Sequence, residues 1–182
     1  MANARSQFSD KSRLRDTMRK RLRQLSQNER QARSLRICEK LLPFFSGKNS
    51  LALFAPLPTE PDLDILWDLG LAKHPLVSYP RCQGDTLSFR PIAALSGLVP
   101  GRHGVREPTP GPGVQQLDLI LVPGLAFTAE GIRLGRGAGF YDRFLCTIPE
   151  TTIKVGVCFE FQRVLEIPRE PHDVKMDAVV YG

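Results

Sequence analysis

Residues 119–145 read LILVPGLAFTAEGIRLGRGAGFYDRFL, and the order of their pieces sets the architecture. Leu117 to Val122 is apolar almost throughout, as for a strand covered on both faces. A loop follows with Gly135, Gly137 and Gly139 at every second position, and a short helix is expected from about Phe140. Working outward, Ile153 to Cys158 and Met176 to Val180 read as the last strands. Upstream, Ser50 to Ala55, Pro75 to Tyr79 and Thr86 to Pro91 are strand-like, and Pro61 is placed to open a helix with Ile65, Leu66 and Leu69 inward. Residues 94–116 hold five Gly and four Pro and are expected to be irregular. Alternation of this kind predicts an α/β layered single domain over residues 1–182, with a largely parallel central sheet.

Residues 1–47 predict a helical pair packed on that sheet. Leu14, Met18, Leu22 and Leu25 form one stripe. Ser26-Gln27-Asn28-Glu29 has the form of a capping box, and a second helix follows with Ala32, Leu35, Cys38, Leu41 and Leu42 on its inner side, ending at Pro43 to Gly47. Charge concentrates here: residues 1–36 hold eleven Lys/Arg against three Asp/Glu, a balance of +8, whereas the other 146 residues balance at −2. Such a segment faces an anion or is a solvated helix face.

Hydrophobic residues are 42% and charged residues 24% of the chain, which excludes a disordered or fibrous class. No apolar run approaches the roughly 20 residues of a membrane helix, and the basic N-terminus lacks the apolar core of a secretory signal, so a cytoplasmic protein without a membrane partner is expected. Cys38, Cys82, Cys146 and Cys158 form no C-x-x-C pair and are expected to be reduced, buried or half-buried thiols. His74, His103 and His172 lack companions suited to a triad.

The glycine loop carries the chemistry. Glycines let an anion reach backbone amides without a Cβ in the way, and successive amides make a concave nest. The helix that follows presents its positive end in the same direction. Arg133 and Arg136 add forked donors suited to phosphate, and Asp142 in the first helical turn suits Mg2+ or the helix dipole. The loop lacks the Lys of a P-loop and the spacing of a dinucleotide fingerprint.

The strings Val122-Pro123-Gly124-Leu125-Ala126-Phe127 and Gly131 to Arg143 together resemble the signature of the 5-formyltetrahydrofolate cyclo-ligase family. The resemblance extends along nearly the whole chain. It takes in Lys11 to Arg15, Phe54 to Glu60, the Gly104-Val105-Arg106-Glu107-Pro108 turn, Val155 to Gln162, and His172 to Asp177. Where some members carry Lys this chain has Ala138, leaving the phosphate to amides and Arg136, and Phe140 stands where many have Tyr.

This resemblance implies cyclisation of 5-formyltetrahydrofolate to 5,10-methenyltetrahydrofolate, with ATP as co-substrate and Mg2+ as cofactor. It implies ATP contacts from Lys11, Arg15, Arg133, Leu134, Gly135, Arg136, Gly137, Ala138, Gly139, Phe140 and Tyr141. Folate contacts are implied for Ala55, Glu60, Arg136 and Phe140, Mg2+ ligands for Asp142 and Asp173, and catalytic roles for Arg136 and Asp142. The remaining basic residues, Arg19 and Arg23 among them, are then expected to be solvated. The expected partners are the two small-molecule substrates, with no nucleic acid, and a monomer is expected. The rival readings are an isomerase or CoA-transferase-like enzyme on a related scaffold, which would not need ATP, and a nucleic-acid binder using the basic helix.

Overall fold

The computed structural model describes residues 2–170 and 173–182, so His172 lies outside the described residues. Helix α1 spans Ala2–Gln24 and α2 spans Gln27–Phe45. The capping box between them is formed: Ser26 Oγ accepts from the Glu29 amide, and the Glu29 carboxylate accepts from the Ser26 amide at 3.1 Å. Of the α1 stripe, Met18 and Leu22 are buried, with Leu14 and Leu25 packed at the margin.

The inner face of α2 differs from the expected one. Ser34, Ile37, Cys38, Leu41 and Phe45 are buried, while Ala32, Leu35 and Leu42 are exposed. The expected stripe advanced in steps of three, and each such step lags the helix by about 60°, so its first members, Ala32 and Leu35, lie on the outer surface while Cys38 and Leu41 are buried as expected. The true face keeps 3–4 spacing. The helix ends at Phe45, within the expected Pro43 to Gly47 stretch, with Pro43 inside its last turn.

The main sheet has the order β10-β9-β6-β1-β2-β3. Its strands are β1 (Ser50–Ala52), β2 (Leu76–Gln83), β3 (Thr86–Pro91), β6 (Leu119–Pro123), β9 (Ile153–Cys158) and β10 (Ala178–Tyr181). All neighbours pair parallel except β2 with β3, a hairpin in which Gln83 faces Thr86. The sheet is therefore largely parallel, as expected. Two small antiparallel pairs accompany it: β4 (Leu98–Pro100) with β5 (Arg106–Pro108), inside the stretch expected to be irregular, and β7 (Ala126–Phe127) with β8 (Arg133–Leu134).

Other expectations need correction. The helix after Pro61 shrinks to α3 (Ile65–Asp68), with Leu66 buried and Leu69 exposed. Helix α4 (Phe140–Leu145) has six residues, so its dipole is slight. Among the described residues Cys38 and Cys158 are buried and Cys82 is half-buried as expected, whereas Cys146 is exposed on the surface after α4.

One packing contact fixes how the β7–β8 hairpin meets the sheet. The Phe127 ring lies flat against two glycines: a Cβ on Gly156 would stand 2.5 Å from it, and a Cβ on Gly124 2.7 Å. Phe127 is fully buried there. Gly156→Ala is expected to cost about 1–3 kcal/mol, the usual range for overpacking a closed site. Urea denaturation checks this, and Phe127→Leu in the same chain should restore part of the loss if the ring is the obstacle.

Candidate active site

The chain runs from β1 outward to β2 on one side and later to β6 on the other. Strand order thus reverses between β1 and β6, and in open α/β sheets ligands bind outside the carboxyl ends of strands at such a point. A cavity of about 380 Å³ opens there, with Phe54 and Ala55 beyond β1 on one wall and Pro123 and Gly124 at the end of β6 on another. The glycine loop and the start of α4 complete it through Gly135, Arg136, Ala138, Gly139, Phe140, Tyr141 and Asp142.

Glu60 and Arg136 meet across this cavity. Arg136 Nε donates to Glu60 Oε1 at 2.9 Å, and its NH2 lies 2.8 Å from the same oxygen, out of line for a hydrogen bond. Glu60 Oε2 accepts from the Leu57 amide at 2.9 Å. The acid is buried, so the loop after β1 and the glycine loop are joined by a charge-assisted bond to a partly exposed arginine.

Arg133 is buried as well. Its NH1 donates to the Pro123 carbonyl at 3.0 Å, and its NH2 is paired closely with Asp142 Oδ1. Its guanidinium also stands 5.7 Å from the centre of the Tyr141 ring. Burial, and next the negative charge of Glu60, hold the Tyr141 phenol above its ordinary range, so Tyr141 stays neutral. Two of the three loop glycines are needed for backbone geometry: Gly137 has φ +110° and Gly139, at the start of α4, has φ +71°. Leu134 differs from its neighbours, since its side chain is sunk in the core.

The N-terminal helix contacts the loop from outside. Arg15 Nε donates to the Gly135 carbonyl at 3.1 Å, and Arg19 NH2 to the Arg136 carbonyl at 2.9 Å. Arg19 is thus engaged rather than solvated, which the sequence reading missed. Lys11 is buried and paired with Asp173 at 3.1 Å and Glu170 at 3.2 Å. Asp173 also accepts from the Glu170 amide at 2.8 Å.

The two carboxylates considered for Mg2+ are therefore each held by a different cation, Asp142 by Arg133 and Asp173 by Lys11. Among the described residues no three His, Cys, Asp or Glu side chains gather as a metal group. Asp142 lines the cavity, and a single carboxylate there fits a Mg2+ held mainly by phosphates and water, not a cage made by protein alone.

Two residues that the sequence reading placed in family motifs without a role of their own, Glu107 and Gln162, support the site. Glu107 lines the cavity almost fully buried, accepting from the Cys82 amide at 3.4 Å, with Arg81 at 3.6 Å. Gln162 is buried, its amide donating to the carbonyls of Gly124 (2.9 Å) and Leu125 (3.1 Å) and accepting from the Phe159 amide (2.8 Å). Only a fold could reveal these roles, because their partners lie far away in sequence.

Fold and site together define an α/β protein with a charged ligand crevice at the strand-order reversal and an arginine–glycine loop along its rim. The family model described as the 5-formyltetrahydrofolate cyclo-ligase family matches residues 7–182. The chain is 37% identical over 145 residues to the 5-formyltetrahydrofolate cyclo-ligase of Mycolicibacterium smegmatis, covering 74% of each. It is 30% identical over 193 residues to that of Mus musculus, covering 95% of this chain and 94% of the relative. Among solved structures it is similar to Aquifex aeolicus 5,10-methenyltetrahydrofolate synthetase, with TM-score 0.83, 34% identity, and 94% and 89% of the two chains covered. The chain belongs to the 5-formyltetrahydrofolate cyclo-ligase family and is an enzyme of that class.

Gln162→Leu is expected to destabilise the enzyme, at about 1–3 kcal/mol for each buried group left unpaired. Thermal and urea unfolding measure this. A loss below about 0.5 kcal/mol, the range of ordinary surface substitutions, would show that Gln162 does not secure the Gly124 turn.

Proposed function

We propose that this chain cyclises 5-formyltetrahydrofolate to 5,10-methenyltetrahydrofolate, with ATP converted to ADP and phosphate. The observation that carries this is the crevice itself: an acid, Glu60, on one wall and an arginine-rich glycine loop on the other, joined through Arg136. The relatives' names supply the substrate; the site supplies groups suited to both halves of the reaction.

The formyl group on pterin nitrogen 5 is an amide, and its oxygen leaves poorly. Phosphorylation by ATP turns that oxygen into a leaving group. Nitrogen 10 then attacks the formyl carbon, the carbon–oxygen bond breaks, and phosphate departs as nitrogen 10 gives up its proton. Transfer of this kind asks for alignment and charge neutralisation. Loop residues 135–141 seat the phosphates, with Lys11, Arg15 and Arg133 on the nucleotide side. Arg136 stands where negative charge grows in transfer. Glu60, already oriented by Leu57 and Arg136, accepts from the pterin ring, and Ala55 and Phe140 give the folate apolar walls. Asp142, together with water, would hold Mg2+, which would supply positive charge to neutralise the phosphates. Asp173 joins this set only through Lys11, which it holds beside the C-terminal segment.

The basic helix supports a small-molecule reading over a polyanion surface. Arg15, Arg19 and Arg21 on α1, and Arg30 on α2, all donate to backbone carbonyls of the protein, so these cations are committed internally. No helix among the described residues is long and apolar enough to cross a membrane. A monomeric, cytoplasmic enzyme is the form proposed.

The deciding experiment follows methenyl product by absorbance, with and without ATP and Mg2+. Product formed only with both is expected; none from folded protein would refute the proposal. Arg136→Ala should lower kcat about 10²–10³-fold, the scale for losing one donor at developing charge, and should lower Tm as well, because buried Glu60 loses its ion partner. Asp142→Asn should raise the Mg2+ concentration for half-maximal rate, because an amide keeps the shape but loses the charge. A Mg2+ titration of both proteins measures this, and identical curves would reduce Asp142 to a partner of Arg133.

A further inference from the structure

The glycine loop is satisfied on one side only. Four of its carbonyls have donors: Gly135 from Arg15, Arg136 from Arg19, Ala138 from the Arg143 side chain at 3.0 Å, and Gly139 from the Arg143 amide at 3.0 Å. None of the amides from Gly135 to Gly139 has an acceptor among the described residues. In a trans peptide the carbonyl and the next N–H point in opposite directions, and no cis bond occurs here. Each arginine that draws in a carbonyl therefore turns the following amide away from itself. Arg15 sets the amide of Arg136, Arg19 that of Gly137, and Arg143 that of Gly139.

Arg19 and Arg143 are in turn held in place. Asp16 takes Arg19 NH1 at 3.1 Å, one turn back on α1. Arg143 Nε donates to the Asp85 carbonyl at 2.9 Å, in the β2–β3 turn, and its guanidinium lies 5.4 Å from the centre of the Phe140 ring. The loop is thus gripped from the N-terminal helix on one flank and from α4 and the hairpin on the other.

We infer that Arg19 and Arg143 are positioning residues, which orient the amides of Gly137 and Gly139 to receive phosphate oxygens while touching no phosphate themselves. The inference rests on the proposed ATP reading of the loop. Unpaired amides in a fixed, glycine-rich turn are the donors that an anion nest needs. Held in place beforehand, they need no reorganisation when charge arrives.

The test uses the full chain with Arg19→Met, Arg143→Met, and Arg23→Met as control; Arg23 is exposed on α1 and takes no part in the loop. In ligand-free protein, Arg19→Met should shift the ¹⁵N resonance of Gly137, and Arg143→Met that of Gly139, each leaving the other less changed. ATP affinity by calorimetry, without folate, should fall roughly tenfold to a hundredfold in both, the scale for misplacing a positioned group. Arg23→Met should stay within about twofold, as an ordinary surface change does. Arg19→Lys should recover part of the affinity.

Weakened ATP binding with unmoved glycine amides would mean direct charge contact and would overturn the inference. So would moved amides with undiminished affinity, or an equal loss in Arg23→Met. If Arg19→Met does not fold, Asp16→Asn replaces it: Asp16 is largely exposed, and the Gly137 shift should move in the same direction by less. Unaltered Gly137 in that variant counts against the role. The methenyl assay on the unmodified enzyme is read separately, so a missing activity and a missing positioning role are distinguishable.

Discussion

Glu60 and Arg136 close a bond across the point where strand order reverses, and the rest of the site is arranged around it. Glu60 sits in the segment that leaves β1, and Arg136 in the loop that leaves β8. Neither residue is easily left alone where it stands. A buried carboxylate without a partner is costly, and so is a guanidinium drawn from water. Their pairing fixes the distance between two walls of the cavity. It also holds both side chains in a fixed orientation at the cavity wall.

Support for that bond comes in successive layers. Arg133 ties Pro123 at the end of β6 to Asp142 on α4, so the strand and the helix after the loop cannot separate. Gln162 fastens the turn at Gly124 and Leu125, and Phe127 packs that turn onto Gly156 of β9. Arg15 and Arg19 bring α1 onto the loop from the far side. Four of the eleven basic residues in the N-terminal segment, Arg15, Arg19, Arg21 and Arg30, hold backbone carbonyls of the protein.

The strong strands, Leu119–Pro123 and Ile153–Cys158, were legible in the sequence because continuous apolar runs have few alternatives to a covered parallel strand. The capping box at Ser26 and Glu29 was legible because it is a local bargain between four adjacent residues. The inner face of α2 was not. Leu35 and Leu42 are as apolar as Leu41, and only the position of the sheet beneath decides which of them is covered. The shortness of α3 and the β4–β5 hairpin were not legible for a similar reason: each is decided by neighbours distant in sequence, with little local signal of its own.

At the site, sequence by itself determined the parts: the glycine spacing that frees amides, the arginines and acid around it, and the family to which that string belongs. These follow from local backbone freedom and side-chain chemistry, which a linear string records. Tertiary structure alone decided the pairings. It turned Arg133 to Asp142, gave Lys11 to Asp173 and Glu170, and set Arg19 on the carbonyl of Arg136, 117 residues away along the chain. An arginine reads the same in sequence whether it faces water, phosphate or a carbonyl. Which of these it meets depends on how the sheet brings distant segments within about 3 Å of each other, the reach of a hydrogen bond.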